Sequence, residues 1–311
     1  MPSVAQTITA NLNQEKRDIR DWVADSFNKE ILYDEPLSET IEPFVRDGKS
    51  EKKLVPDALG SIASWHMRMA MNKSLNEALY PADEIARSGI YRFWHYECAH
   101  AVMESDDPAG YKFPMRPFTE VSTMLALGWL SHANRLAETI FDRWDAQTDG
   151  NGAVGWKILP QYLPWLSVKL YKAWRESDET YDLEPDDGEM GEFSPLLETL
   201  FDPRPHTFGE ALAKAADFHA SGCGTDDYDV VNEEELWFFP VELLAACRLR
   251  QQRGLDLPPL DYPLFNATPL CRFQPLRSTA SHLPMAMVLW RPASVLRWSC
   301  SFWAEAKAEP D

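Results

Sequence analysis

His95-Tyr96-Glu97-Cys98-Ala99-His100 gathers histidine, glutamate and cysteine within six positions, the ligand types of a transition-metal site. A helical zinc motif sets its two histidines four apart, on one face. Here they stand five apart, so on a helix of 3.6 residues per turn they diverge by about 140°. Glu97 and His100 share a face, which suits a buried hydrogen bond, and a structural role is the expectation. Asp145-x-Gln147-x-Asp149-Gly150 matches the start of a calcium loop, yet its twelfth position is Trp156 where a bidentate glutamate is required. It reads as a turn between helices. Gly48-Lys49-Ser50 has the ending of a phosphate loop, but Pro43 stands at the first glycine position and no strand precedes it. There is no GxSxG nucleophile elbow. His66, His132 and His219 fall on helical stretches and read as core or boundary residues. Cys98 and Cys247 have apolar helical neighbours and read as inert thiols. No metal, cofactor or catalytic set is expected, and the chain reads as a non-enzyme.

Carboxylates are the other abundant chemistry. Twenty acidic residues against two basic ones, Arg204 and Lys214, lie between Glu176 and Glu242. This window carries about −18 of the formal −19, and the remaining 29 acids and 28 bases nearly cancel. Solubility needs far less charge than that. So local a concentration reads as a surface for a positively charged partner. Two acidic loops hold the candidates. The first supplies Asp178, Glu179, Asp182, Glu184, Asp186, Asp187 and Glu189, and the second Asp226, Asp227, Asp229, Glu233, Glu234 and Glu235. Tyr181, Tyr228 and Trp237 are the candidate apolar anchors, with Leu183, Met190, Phe193, Val230, Leu236 and Phe238 beside them. Charge for steering and aromatics for anchoring is the composition of tight protein recognition. The bland alternative is a pair of solvated loops.

The acidic balance disfavours nucleic acid and anionic membrane as partners. Met1 to Asn13 has no basic start and no apolar run, so no signal peptide is expected. No uncharged apolar stretch is long enough for a transmembrane helix. Five scattered cysteines without a CxxC pair fit a reduced cytoplasm.

The elements that must carry these residues read as helix after helix, in an all-α array of about eight to nine helices, orthogonal or bundle-like. Gln6 to Leu32 and Ser50 to Leu79 are helical, the second interrupted near Pro56. Pro81 starts a third, with Asp83 and Glu84 favourable to its dipole. Its core face is Ile85, Gly89, Phe93, Tyr96, His100 and Met103. From Pro117 to about Trp144 a single long helix is expected, with Val121, Leu125, Gly128, His132, Leu136 and Ile140 as its stripe. Asp145 to Gly155 reads as a hinge between an N-terminal half (1–145) and an acidic C-terminal half (156–311), which together could form one continuous domain. Ser194-Pro195 starts a short helix with serine as cap, Thr207 to Glu210 is a capping box for a helix to Ala220, and Pro240 to Arg253 is another, stopped at Gly254. After Leu255 recurrent prolines give a loop-rich tail, with a short helix near Ser294 to Lys307. No alternating strand pattern is present.

The segment Trp237-Phe238-Phe239-Pro240-Val241-Glu242-Leu243-Leu244-Ala245-Ala246-Cys247-Arg248-Leu249-Arg250, followed by Gly254-Leu255 and Asp261-Tyr262-Pro263-Leu264, resembles the C-terminal halves of large all-helical immunity proteins of bacterial polymorphic toxin systems, of the type VI secretion kind. The resemblance implies an inhibitor that binds its toxin tightly, in particular a nuclease effector with a basic substrate groove. Two other readings stay open. One is an all-helical carbohydrate-active enzyme, in which some of the twelve tryptophans line a groove with two carboxylates ~5–10 Å apart. Filling a large helical core is the expected use of those tryptophans. The other is a helical scaffold or regulator with a basic partner.

Overall fold

The computed structural model describes residues 3–47, 51–103, 117–148, 162–178, 184–224, 230–231 and 234–271. Among these the protein is all-α, with twelve α-helices and no strand. In chain order they are α1 (Val4–Ala24), α2 (Ser26–Lys29), α3 (Glu42–Asp47), α4 (Leu54–Glu77), α5 (Ala82–Met103), α6 (Pro117–Leu127), α7 (Leu130–Thr148), α8 (Tyr162–Arg175), α9 (Ser194–Glu198), α10 (Pro205–Ser221), α11 (Val241–Gln252) and α12 (Pro263–Ala267). The excess over the expected eight to nine comes from short helices and from one expected helix that is divided in two. No helix among the described residues is long and apolar enough to cross a membrane. The proposed helix at 294–307 and the hinge from Asp149 onward lie outside the described residues, while Asp145 and Gln147 fall inside α7.

Local chemistry explains most boundaries. Asp25 ends α1 and its carboxylate accepts the Phe27 N–H at 2.9 Å, restarting the helix as α2. From there helix continues to residue 47 through two π-helical stretches, Glu30–Asp34 and Pro36–Ile41. Pro36 has no N–H to give, and wide turns take up the mismatch, with Glu35 N–H reaching Glu30 O and Glu42 N–H reaching Leu37 O. Pro56 does not interrupt α4 because it sits in the first turn, where N–H groups have no partner anyway.

The long helix expected over 117–144 is in fact two. Gly128 adopts φ 79, Gly128 N–H returns to Leu125 O at 3.0 Å and Trp129 N–H to Met124 O at 2.9 Å, a Schellman closure that ends α6. Gly254, at φ 70, closes α11 in the same way. α8 closes likewise, with Ser177 N–H on Lys172 O at 3.0 Å, but its left-handed residue is Glu176 at φ 54. A side chain there costs about 1 kcal/mol relative to glycine. Two expected caps are corrected. Ser194 is buried with a hydroxyl that finds no partner among the described residues, and the residue before α9 is Phe193, so Ser194 is not its cap. α10 begins two residues before Thr207, with Pro205 at its first position and Arg204 before it.

Helices of the two halves interlock around one core. α4 packs along α5, α6 against α7 and α8, and α1 against α4, α10 and α12. At the centre lies α11, wedged against α6, α8 and α10, with every residue from Val241 to Arg250 buried. A helix enclosed on all sides must bury its polar residues too, and Glu242, Arg248 and Arg250 are all inside. Arg250 is 0% exposed. Its Nη1 donates to Leu200 O and Asp202 O at 2.8 Å and to Thr199 O at 3.4 Å. Nη2 and Nε donate to Asp256 O at 3.1 and 3.4 Å, and the guanidinium lies 4.4 Å from the Phe208 ring centre. One side chain thus satisfies carbonyls that α9 and the turn after α11 leave without helical partners.

Candidate partner-binding site

The acidic window is built in two pieces of different character. Past α8, Asp178 is exposed, whereas Glu179, Tyr181, Asp182 and Leu183 lie outside the described residues. Glu184 then turns back onto α8. Lys172 Nζ donates to its two carboxylate oxygens at 2.7 and 2.9 Å, and Lys169 Nζ approaches at 3.3 Å. Lys169 Nζ also holds Asp187 Oδ1 at 2.6 Å. The Glu184 side chain is 9% exposed and that of Asp187 62%. A tight turn follows, in which Glu189 N–H meets Asp186 O at 2.9 Å and Asp186 N–H meets Glu189 Oε2 at 3.1 Å. Met190, Phe193 and Leu196 point inward from this strip and are buried. Asp186, Asp187, Glu189, Glu192 and Glu198 face solvent. The result is an ordered acidic ledge riveted to α8 by two lysines and backed by core side chains.

Of the second cluster the described acids, Glu234 and Glu235, are tied down. Asp226, Asp227, Tyr228, Asp229 and Glu233 lie outside the described residues. Glu234 Oε2 accepts from Arg68 Nη2 at 3.0 Å, and Glu235 Oε2 from Arg92 Nη2 at 3.1 Å, with Arg68 Nε 3.8 Å from Glu235 Oε1. Arg92 Nε also bonds Glu120 at 3.2 Å, and the Arg68 guanidinium lies 5.4 Å from the Trp22 ring centre. Arginines of α4 and α5 therefore clip Glu234 and Glu235 onto the N-terminal helices. Trp237 is half-buried and donates its indole N–H to Val231 O at 3.0 Å. The supporting anchors Met190, Phe193, Leu236 and Phe238 are core residues and unavailable to a partner. Their density had suggested a docking surface, but the chain's own core takes them, since burying each contributes about 1.5–3 kcal/mol.

Beside the clip, Glu15 on α1 is buried. Desolvation pushes its carboxyl up to about 7, against the attraction of Arg68, while Glu234 and Asp18 push it further up. Because the folded value exceeds the usual 4.5, the protonated form stabilises the fold below about pH 4.5, and that stability drains away as pH rises to about 7. Glu15→Gln keeps the neutral shape at every pH. It is expected to be more stable than the parent at pH 8 by roughly 1–2 kcal/mol, solvent screening included, and nearly equal at pH 4.5. Urea unfolding at the two pH values measures the difference, and an equal gap at both would refute the protonation argument.

The remaining constellations are structural. His95 Nδ1 lies 2.6 Å from Pro56 O, and burial pushes its imidazole, like that of His132, down to about 4. Glu97 does not use His100. It accepts from Arg135 Nε at 2.6 Å and Thr139 Oγ1 at 2.8 Å, both on α7, which comes closer to that face than the next turn of α5 does. His66 Nδ1 meets Glu84 Oε2 at 2.7 Å, and Lys73 Nζ meets Glu84 Oε1 at 2.6 Å. The hydrogen bond from His66 leads the effects that pull Glu84 down to about 2 despite burial, with Lys73 adding to it. Burial pushes the Cys247 and Cys271 thiols up to about 12, and the Cys98 thiol up as well, which leaves them inert at neutral pH. Among the described residues no group of three or more His, Cys, Asp and Glu is placed to hold a metal ion. Trp65 and Trp129 are buried, and Trp22, Trp94, Trp165, Trp174 and Trp237 pack against the core. The basic residues that grip the acids, Lys169, Lys172, Arg68 and Arg92, went unremarked in sequence. Their signal was available as charges at or near the buried stripes of α4, α5 and α8. The chain matches no family model, no curated protein and no solved structure.

Proposed function

We propose that this chain is a binding protein for a basic partner protein, and that it serves as an immunity protein covering the positively charged active surface of a toxin, such as a nuclease effector. The observation that carries the reading is the ledge from Asp186 to Glu198. Its carboxylates are exposed yet held on a strip whose apolar side chains are buried. Charges already fixed in place need no ordering at encounter and steer an oppositely charged surface efficiently. Glu234 and Glu235, by contrast, are engaged with Arg68 and Arg92, so among the described carboxylates those of the ledge form the docking face.

The test is the triple reversal Asp186→Lys, Glu189→Lys, Glu192→Lys, measured for association with the product of the neighbouring open reading frame. A drop in association rate of about 10- to 100-fold at low salt is expected, shrinking as salt is raised, with the melting temperature nearly unchanged. Association as fast as that of the parent would reject the ledge as the docking face. Reversing Glu234 and Glu235 should instead lower stability, because it breaks the clip to α4 and α5.

A further inference from the structure

We propose that the cleft where α8 and α11 end is a binding site for a small aromatic anion of nucleoside-monophosphate size. The cleft measures about 390 Å³, within the range of small-molecule sites. Trp174, Phe201 and the buried Leu249 give it apolar walls, and Gln252 adds an amide. Two guanidiniums lie on the aromatic walls. Arg175 is 5.7 Å from the Trp174 ring centre and Arg253 is 5.1 Å from that of Phe201. A stacked guanidinium keeps its in-plane N–H groups for an anion, so each wall offers a flat apolar face and a charged edge together.

Two features single out this cleft in a chain of net charge −19. Among the described residues no carboxylate pairs with Arg175. Arg253 has Glu176, whose Oε1 is 2.5 Å from its Nη1 and whose side chain is 70% exposed. Glu176 also adopts the left-handed conformation, at φ 54, as Ala78 does at the end of α4 with φ 55, where α6 and α11 use glycine. A strained carboxylate poised on the rim and resting on a cleft arginine occupies the place of an incoming carboxylate or phosphate. The ligand's anionic group would displace Glu176 from Arg253 and bridge to Arg175, with its ring against Trp174, Phe201 and Leu249. Phosphate and carboxylate share this chemistry. The site is independent of partner docking, since none of the ledge carboxylates lines it.

Calorimetric titration of the full chain distinguishes the sources, with adenosine 5′-monophosphate as the phosphate probe and indole-3-acetate as the carboxylate probe. Adenosine and inorganic phosphate alone serve as the half-ligands. One-to-one binding of an aromatic anion is expected, at least about tenfold tighter than either half-ligand. The pair Arg175→Gln, Arg253→Gln should weaken it at least about tenfold with the melting temperature unchanged, because both side chains are at the surface. Glu176→Gln should tighten it severalfold, since it removes the internal competitor. A residue serving only as a helix stop would not produce that gain. No binding of either aromatic anion at about 5 mM, equal binding of adenosine, or unchanged affinity in the double variant would overturn the assignment.

Discussion

Arg250→Ala is expected to destabilise the protein by about 4 kcal/mol or more, a large share of the 5–15 kcal/mol that holds a domain folded. The guanidinium serves Thr199, Leu200, Asp202 and Asp256; Thr199 O keeps the Asp202 N–H at 3.0 Å, but Leu200 O loses its donor inside the core and the carbonyls of Asp202 and Asp256 lose theirs in partly buried surroundings. Each orphaned buried polar group costs about 1–3 kcal/mol. A cavity beneath Phe208 adds to that. Lysine keeps the charge but not the fork, so Arg250→Lys should recover less than half of the loss. Urea denaturation of the three proteins measures this. A loss below 1 kcal/mol for the alanine variant would show that the carbonyls find other donors.

The second large effect belongs to His219 and Glu242, both fully inside the core between α10 and α11. His219 Nδ1 is 2.6 Å from Glu242 Oε1 and Nε2 is 3.2 Å from Leu236 O. Both ring nitrogens face acceptors, the arrangement an imidazolium satisfies as a double donor. Burial alone would lower the imidazole's pKa, but the Glu242 charge, with hydrogen bonding to Cys223 and Glu242, outweighs it and holds it well above the ordinary 6.5. With the folded value raised, the pair's contribution is complete below about pH 6.5 and is lost as pH climbs through the folded value, so stability should decline on the alkaline side. Glu242→Gln leaves a buried imidazole without its counter-charge and is expected to cost about 3 kcal/mol at pH 6. The double variant His219→Leu, Glu242→Met should be markedly more stable than Glu242→Gln, because Glu242 Oε2 already has no partner and an apolar pair removes that debt. Equal stability of the single and double variants at pH 6 would show that no coupled ion pair exists.

Much of the helical order was legible in sequence because it rests on short-range rules. Pro81 with Asp83 and Glu84 marked the start of α5, Gly254 the end of α11, and threefold and fourfold spacing the core faces. Where the reading failed, a longer-range cause was at work. Gly128 fits a helical stripe by spacing, and only the packing of α6 on α8 and α11 shows that the chain must turn there. Residues 33–47 carry two prolines that argue against helix, yet π-helical turns absorb them. For the acidic window the composition was right and the destination half right. Counting bases within the window found two, whereas most of the bases that engage it, Lys169, Lys172, Arg68, Arg92 and Arg253, come from outside it. The burial of Arg250 was not legible, because no local rule shows that a helix is enclosed on every side.

The central position of α11 bears on how the protein is made. Synthesis delivers α6 and α8 long before residues 241–252, yet their inner faces close only on that late helix. A growing chain must therefore hold an open apolar slot through the addition of some seventy residues beyond α8. The acidic stretch is made during that interval, before the helix that completes the core.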